Sequence, residues 1–271
     1  SISITIYRVA SESKVVHALI NAAQNGKKVT AVVELRARFD EKSNINWSRE
    51  MEEAGINVVF GVKELKVHGK LTLITRNDGK KTTNLAVVST GNFHEGNASV
   101  YTDINLFTAD KRITNEVEKV FTFLEFNYRT FTYKHLLVSP GNMRRKLYSL
   151  IDNEIDNAKK KLPAYMLCKI NNLVDEEMIH KLYQASKAGV KIQLVVRGIC
   201  SLVPGIHGQS ENIEVISIVD RLLEHSRIFI FCNNGDEKYF ISSADWMTRN
   251  LDYRIEVATP VYDETNKQEL R

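Results

Sequence analysis

The 271-residue chain has no run of 18 consecutive apolar residues, which excludes a membrane-spanning helix. Its opening, SISITIYRVA, has no basic stretch leading into an apolar one and does not read as a signal peptide. Cysteine is scarce. Cys168, Cys200 and Cys232 are odd in number, far apart and never in CxxC spacing, which excludes a disulfide framework and a cysteine-based zinc site. A reducing cytoplasm is the expected compartment, and peripheral attachment to the inner membrane is compatible with it. Neither a Walker A loop nor a GxGxxG turn occurs, so any nucleotide is held by other means. His94 precedes Glu95, but a zincin helix needs histidine at position 98, where Ala98 stands. Excess charge of one sign is also small, at +4 net. That suits an anionic ligand in a local pocket, and no nucleic-acid partner is expected.

What is present is ordinary for a globular protein: 43% hydrophobic and 26% charged residues. The length predicts two domains. The start at Ser1 and the charged, helix-forming end NKQELR lead us to expect a piece of something longer.

The sequence says nearly the same thing twice. VHALINAAQNGKKVTAVVEL (from Val16) aligns without a gap on IHKLYQASKAGVKIQLVVRG (from Ile179), matching His17 with His180, Ala22 with Ala185 and Gly26 with Gly189. Each copy predicts an amphipathic helix closed by a glycine in the left-handed region, then a β-branched strand. Later, VHGKLTLI carries His68 and EHSRIFIF carries His225, each with a base two residues on, Lys70 or Arg227. STGNF (Ser89 to Phe93) and SSADW (Ser242 to Trp246) follow. His68 precedes Asn92 by 24 positions and Asp103 by 35; His225 precedes Asp245 by 20 and Glu256 by 31. One four-residue difference in a hairpin reconciles both landmarks. The expected architecture is α/β, a tandem duplication with domains 1–135 and 136–271, each a mixed sheet flanked by helices and facing the other across a shared cleft. Ser139-Pro140 is the expected start of the helix that opens the second half.

Such an arrangement would bring His68 and His225 together, each with a base and a carboxylate. An imidazole steadied by a carboxylate is a competent nucleophile toward phosphorus. A second imidazole can move the proton of the leaving or entering oxygen. Arginines at the ends of apolar runs, Arg8, Arg36, Arg38 and Arg197, stand where α/β sheets bind ligands, and guanidinium grips phosphate at two points. His17 and His180 repeat too, but their places on helices point to packing, and His135 and His207 have no counterparts.

The stretches YRVASES, ELRARFDE, KVHGKL, STGNFHEGNASVYTDINLFTAD, VVRGICSLVPG, SIVDRLLEHSRIFIF and SSADWMTRNLDYRIEVATP closely resemble polyphosphate kinase of the phospholipase D-like type. The resemblance implies an enzyme that reversibly moves the terminal phosphate of ATP onto inorganic polyphosphate through a phosphohistidine, with Mg²⁺ as cofactor and ATP, ADP and polyphosphate as partners. It places the nucleophile on His68 and the second cleft histidine on His225, with Asp103 and Glu256 as their carboxylates. It assigns ATP-phosphate contacts to Tyr101 and Arg197, and Lys70 and Arg227 join the phosphate-binding set. Arg8 and Arg38 fall in the Mg²⁺–phosphate region, where they are expected to clamp phosphate beside the metal, since arginine cannot ligate a cation. Phospholipase D itself would carry Asp five residues after the lysine, where Thr75 stands, and the second copy has Arg227 for lysine. The family also has N-terminal domains, one of which helps hold the adenine. Weak or absent kinase activity is therefore expected of this stretch alone, and a homo-oligomer of the full-length protein. The rival readings are a phospholipase D-like phosphodiesterase and a non-catalytic polyanion-binding module.

Overall fold

The computed structural model describes residues 1–35 and 41–271. The chain forms two compact units, Ser1–Leu136 and Leu137–Arg271. The expectations for Arg36 and Arg38 fall outside the described residues.

The first unit runs β1 (Ile2–Ile6), α1 (Lys14–Gln24), β2 (Val29–Val33), α2 (Glu41–Glu53), β3 (Asn57–Val59), the two-residue β4 (Lys66–Val67), β5 (Lys70–Asn77), β6 (Thr82–Ser89), α3 (Glu95–Ala98), β7 (Tyr101–Thr102), β8 (Asn105–Thr108) and α4 (Lys111–Glu125). Its sheet has the order β3-β2-β1-β5-β6-β8. β1, β2 and β3 pair in parallel because helices return the chain between them, whereas β5, β6 and β8 pair antiparallel, β5 and β6 through a short turn and β6 and β8 through a segment that holds α3 and β7. β2 reads VTAVV and is buried at every position, as a central parallel strand covered on both faces must be. Ser13 caps α1 by accepting the Val16 N–H. At the other end Gly26 takes φ +73° and lets the Lys27 N–H reach back to the Ala22 carbonyl.

The second unit runs β9 (Leu137–Ser139), α5 (Met143–Lys159), β10 (Tyr165–Ile170), α6 (Glu176–Lys187), β11 (Lys191–Val196), β12 (Ile213–Ile216), the short β13 (Leu223–Glu224), β14 (Arg227–Phe231), β15 (Lys238–Ser242), α7 (Thr248–Asp252), β16 (Arg254–Val261) and α8 (Glu264–Leu270). The strand order β12-β11-β10-β14-β15-β16 repeats that of the first unit, and β9 pairs antiparallel with β16. Asp175 caps α6, Gly189 takes φ +95°, and the Val190 N–H bonds the Ala185 carbonyl, so the helix end of α1 recurs contact for contact. Leu147 and Ile151 of α5 and Leu182 of α6 pack on Phe229, Phe231 and Phe240 to make the core.

The four-residue offset has a visible origin. The β5–β6 hairpin has eight-residue strands and the β14–β15 hairpin five-residue strands, yet Lys70 pairs with Ser89 as Arg227 pairs with Ser242. One sequence expectation shifts at its edge. α5 starts at Met143, not at Ser139-Pro140, because Ser139 is a buried strand residue whose hydroxyl donates to the Leu251 carbonyl. α4 stops at Glu125, and Phe126 leaves helical geometry with φ −131° and ψ 75°.

Candidate active site

In the first unit His68 follows β4 and Lys70 opens β5. The loop between them is pinned from below. Thr5 donates to the Gly69 carbonyl at 2.7 Å and accepts the Leu71 N–H at 2.9 Å, while Glu34 accepts the Val67 N–H at 3.0 Å. The Tyr7 ring stands edge-on to His68 with centroids 4.8 Å apart. The same ring lies 5.3 Å from the Lys70 ammonium and 5.7 Å from the Arg8 guanidinium, so one aromatic side chain gathers His68, Lys70 and Arg8. Lys70 itself is only 2% exposed.

Asp103, beyond β7, sits in a tight bracket. Thr90 donates its hydroxyl to Oδ1 at 2.7 Å, and the same hydroxyl accepts the Ile104 N–H at 3.0 Å while the Thr90 N–H bonds the Ile104 carbonyl. The carboxylate lies directly over Gly91: a β-carbon there would fall 1.8 Å from Oδ2. Ser89 holds the turn by accepting the Gly91 N–H and donating to its carbonyl.

The second unit builds the same bracket with different side chains. Ser243 donates its hydroxyl to Glu256 Oε2, accepts the Val257 N–H at 3.1 Å, and its own N–H bonds the Val257 carbonyl. Ser242 accepts the Ala244 N–H as Ser89 accepts that of Gly91. Asn250 completes the set, donating to Oε1 at 2.7 Å. Glu256 is fully buried, and these donors supply hydrogen bonds to both of its carboxylate oxygens. In both units carboxylate follows hydroxyl by thirteen residues.

Around His225 lies a network of side chains. Arg227 Nη1 is 3.2 Å from Nε2 and 3.4 Å from Nδ1 of the imidazole and donates to the His225 carbonyl at 2.9 Å. The other face of that guanidinium is bound by buried Asp245, through Nε at 3.1 Å and Nη2 at 3.4 Å. Burial on its own would raise the Asp245 carboxyl, but the Arg227 charge and hydrogen bonds from Arg227, Asn172 and the Asn171 N–H outweigh it and hold the carboxyl at about 2. Asn171 then joins two predicted residues: its amide donates to the His225 carbonyl at 3.2 Å and its oxygen accepts from Arg197 Nε at 3.0 Å.

The structure thus groups His68, Lys70 and Arg8 around Tyr7, and His225, Arg227 and Arg197 around Asn171 and Asp245. Asp103 and Glu256 each occupy a bracket, and Tyr101 is partly buried on β7. Sequence reading missed Tyr7, Asn171, Asn250 and Asp245 as positioning groups. The only available signal was that Asp245 stands where Asn92 stands in the other copy. Among the described residues no group of three or more His, Cys, Asp or Glu side chains converges to hold a metal ion. Nor is any helix among them long and apolar enough to cross a membrane.

Two helix-flanked mixed sheets, repeated in tandem with a histidine at the same strand mouth in each, define a duplicated α/β protein. Residues 1–130 match the family model described as polyphosphate kinase C-terminal domain 1, and residues 136–271 match C-terminal domain 2. The chain belongs to the polyphosphate kinase family. Polyphosphate kinase of Escherichia coli is 54% identical over 270 residues, covering all of this chain and 39% of that protein. The crystal structure of polyphosphate kinase from Porphyromonas gingivalis superposes with a TM-score of 0.91 at 46% identity, over 99% of this chain and 41% of that one. Phosphatidylserine synthase of Haemophilus influenzae shares the fold alone, with a TM-score of 0.67 at 9% identity over 99% of this chain and 78% of that one. The chain therefore spans about two fifths of the length of its polyphosphate kinase relatives.

Proposed function

We propose that this chain carries the phosphoryl-transfer residues of a full-length ATP:polyphosphate phosphotransferase. The observation that carries the reading is the doubled bracket: Thr90 on Asp103 and Ser243 on Glu256, each in a unit that also presents a histidine two residues before a buried base. A binding surface has no need of two such sets.

In the forward step an imidazole nitrogen of His68 attacks the γ-phosphorus of ATP. The N–P bond forms, the bond from phosphorus to the β,γ-bridging oxygen breaks, and ADP leaves with the electron pair. A terminal oxygen of polyphosphate then attacks the phosphohistidine, the N–P bond breaks, and His68 is regenerated with the polymer one unit longer. His225 exchanges the proton that these oxygens gain or lose. Asp103 fixes the tautomer of His68 and supports the cationic ring, and Glu256 does the same for His225. Arg8, Arg38, Arg197 and Tyr101 neutralise and orient the phosphate oxygens. Arg227, bound on its far side by Asp245, is read as a support for the His225 ring. Mg²⁺ would enter as the counter-ion that ATP carries on its phosphates.

The full-length protein incubated with γ-labelled ATP should yield protein-bound label that is acid-labile and base-stable. His68→Ala should abolish it. Label that persists in that variant would remove His68 as the nucleophile.

A further inference from the structure

The two units are duplicates, yet one sheet face differs between them in a way their own sequences do not explain. In the second unit Phe229, Phe231 and Phe240 point to one face of the sheet and are 0%, 0% and 6% exposed. α5 covers them, with Met143, Leu147, Ile151 and Ile155 as its buried stripe. The register carries these positions onto the first unit. Lys70 with Ser89 corresponds to Arg227 with Ser242, so Thr72, Ile74 and Val87 stand where Phe229, Phe231 and Phe240 stand. Val87 pairs in turn with Phe107 on β8, and directly paired residues share a face. Here the face is open: Ile74 is 38% exposed, Leu85 42% and Phe107 77%. Residues of the same strands pointing the other way, Leu71, Leu73, Ala86 and Val88, are buried.

The edge differs as well. β16 has β9 along its outer side, with Glu256, Val257 and Ala258 opposite Ser139, Val138 and Leu137. β8 occupies the corresponding place in the first unit and ends its sheet, with no further strand beside it among the described residues. An apolar, unpaired edge strand next to an uncovered apolar face is what proteins otherwise avoid.

Both elements that close the second unit, β9 and α5, come immediately before its first parallel strand, β10; β9 begins 28 residues before it. The matching strand of the first unit is β1, which starts at Ile2. We propose that the stretch of the full-length protein directly preceding Ser1 supplies a strand and an amphipathic helix that complete the first unit. The strand pairs antiparallel with β8 beside Asp103–Asn105, and the helix covers Ile74, Leu85, Val87 and Phe107. Relatives more than twice as long as this chain leave room for such a segment. Its sequence should show apolar side chains at four-residue intervals, as Met143, Leu147, Ile151 and Ile155 do. The inference is independent of the proposed reaction.

The test uses full-length protein with Phe107→p-benzoylphenylalanine, irradiated and digested for mass spectrometry. A cross-link within one polypeptide to a peptide from a stretch of that length before Ser1 supports the assignment. A cross-link to another part of the chain, a covalent dimer, or no cross-link overturns it. Hydrogen exchange on the unmodified full-length protein gives a check that needs no substitution. The amides of Asp103–Thr108 should exchange about 100-fold or more slower than unstructured peptide, including those that β6 does not bind. Rapid exchange of alternate amides there would mean a bare edge and would overturn the proposal.

Discussion

Gly91→Ala is the sharpest perturbation of the bracket around Asp103. The ideal β-carbon would fall 1.8 Å from Oδ2, 2.1 Å from Cγ and 2.6 Å from Oδ1 of that carboxylate. Ordinary heavy-atom contact needs about 3.5 Å, so the carboxylate must retreat by more than about 1.5 Å or the turn must open. Either movement breaks the 2.7 Å hydrogen bond from Thr90. A hydrogen bond to a charged group contributes about 1.5–3 kcal/mol, so the loss should register as a lower melting temperature of about that worth. A chemical consequence of similar size should accompany the stability loss. If Asp103 orients His68, a displacement of this size costs about 10²-fold in rate, equivalent to about 2.7 kcal/mol of barrier. The assay is the initial rate of label transfer from γ-labelled ATP to full-length protein, beside thermal unfolding of the same sample. Gly79→Ala is the control, because Gly79 sits at a hairpin tip with φ +85° and nothing within 4 Å of its would-be β-carbon. It should lose stability through backbone strain while keeping its rate. Asp103→Ala added to Gly91→Ala should recover stability without recovering rate. A Gly91→Ala protein that labels within about threefold of the parent would refute the argument that this carboxylate must lie where it does.

Ser243→Ala should lower stability by about 1–3 kcal/mol, because Glu256 then stays buried with one side-chain donor fewer, whereas Ser243→Thr should keep most of it; equal melting temperatures for parent and alanine variant would argue against the bracket. Asp245 titrates near 2 in the folded state against an ordinary value of 3.8, so its contribution is fully present above about pH 4 and is lost as pH falls through about 2. That difference corresponds to about 2 kcal/mol. Asp245→Asn should therefore lose at least that at pH 7 and show a flatter decline in stability between pH 4 and pH 2; an unchanged acid limb would contradict the pairing with Arg227.

Much of this was written along the chain where contacts are local or repeated. Gly26 and Gly189 marked helix ends because the left-handed backbone at that point has a strong residue preference. The spacing of His68 and His225 to their carboxylates exposed the unequal hairpins, since pairing register carries length differences to the hairpin tip. Asp245 and Asn171, by contrast, meet across 74 positions, and Asn171 and Arg197 across 26. No periodicity reports such meetings. Nothing in the sequence marked Tyr7, just past the end of β1, as the ring around which the fold puts His68, Lys70 and Arg8. Ser139-Pro140 misled because a proline before a helix signals a boundary without saying whether the serine caps it or lies in a strand.

The longer β5–β6 hairpin has a practical corollary. Its overhang, Arg76 to Lys81, is exposed, and Asp78 Oδ1 holds the tip by accepting the Lys80 and Lys81 N–H groups. Duplicates that diverged by four residues at this point still align Lys70 with Ser89 as Arg227 aligns with Ser242, so the tip absorbs changes of length that the strand roots never register. A fluorophore-bearing loop or an affinity peptide grafted there would travel with the sheet as a passive passenger, giving a handle for single-molecule work on the intact protein.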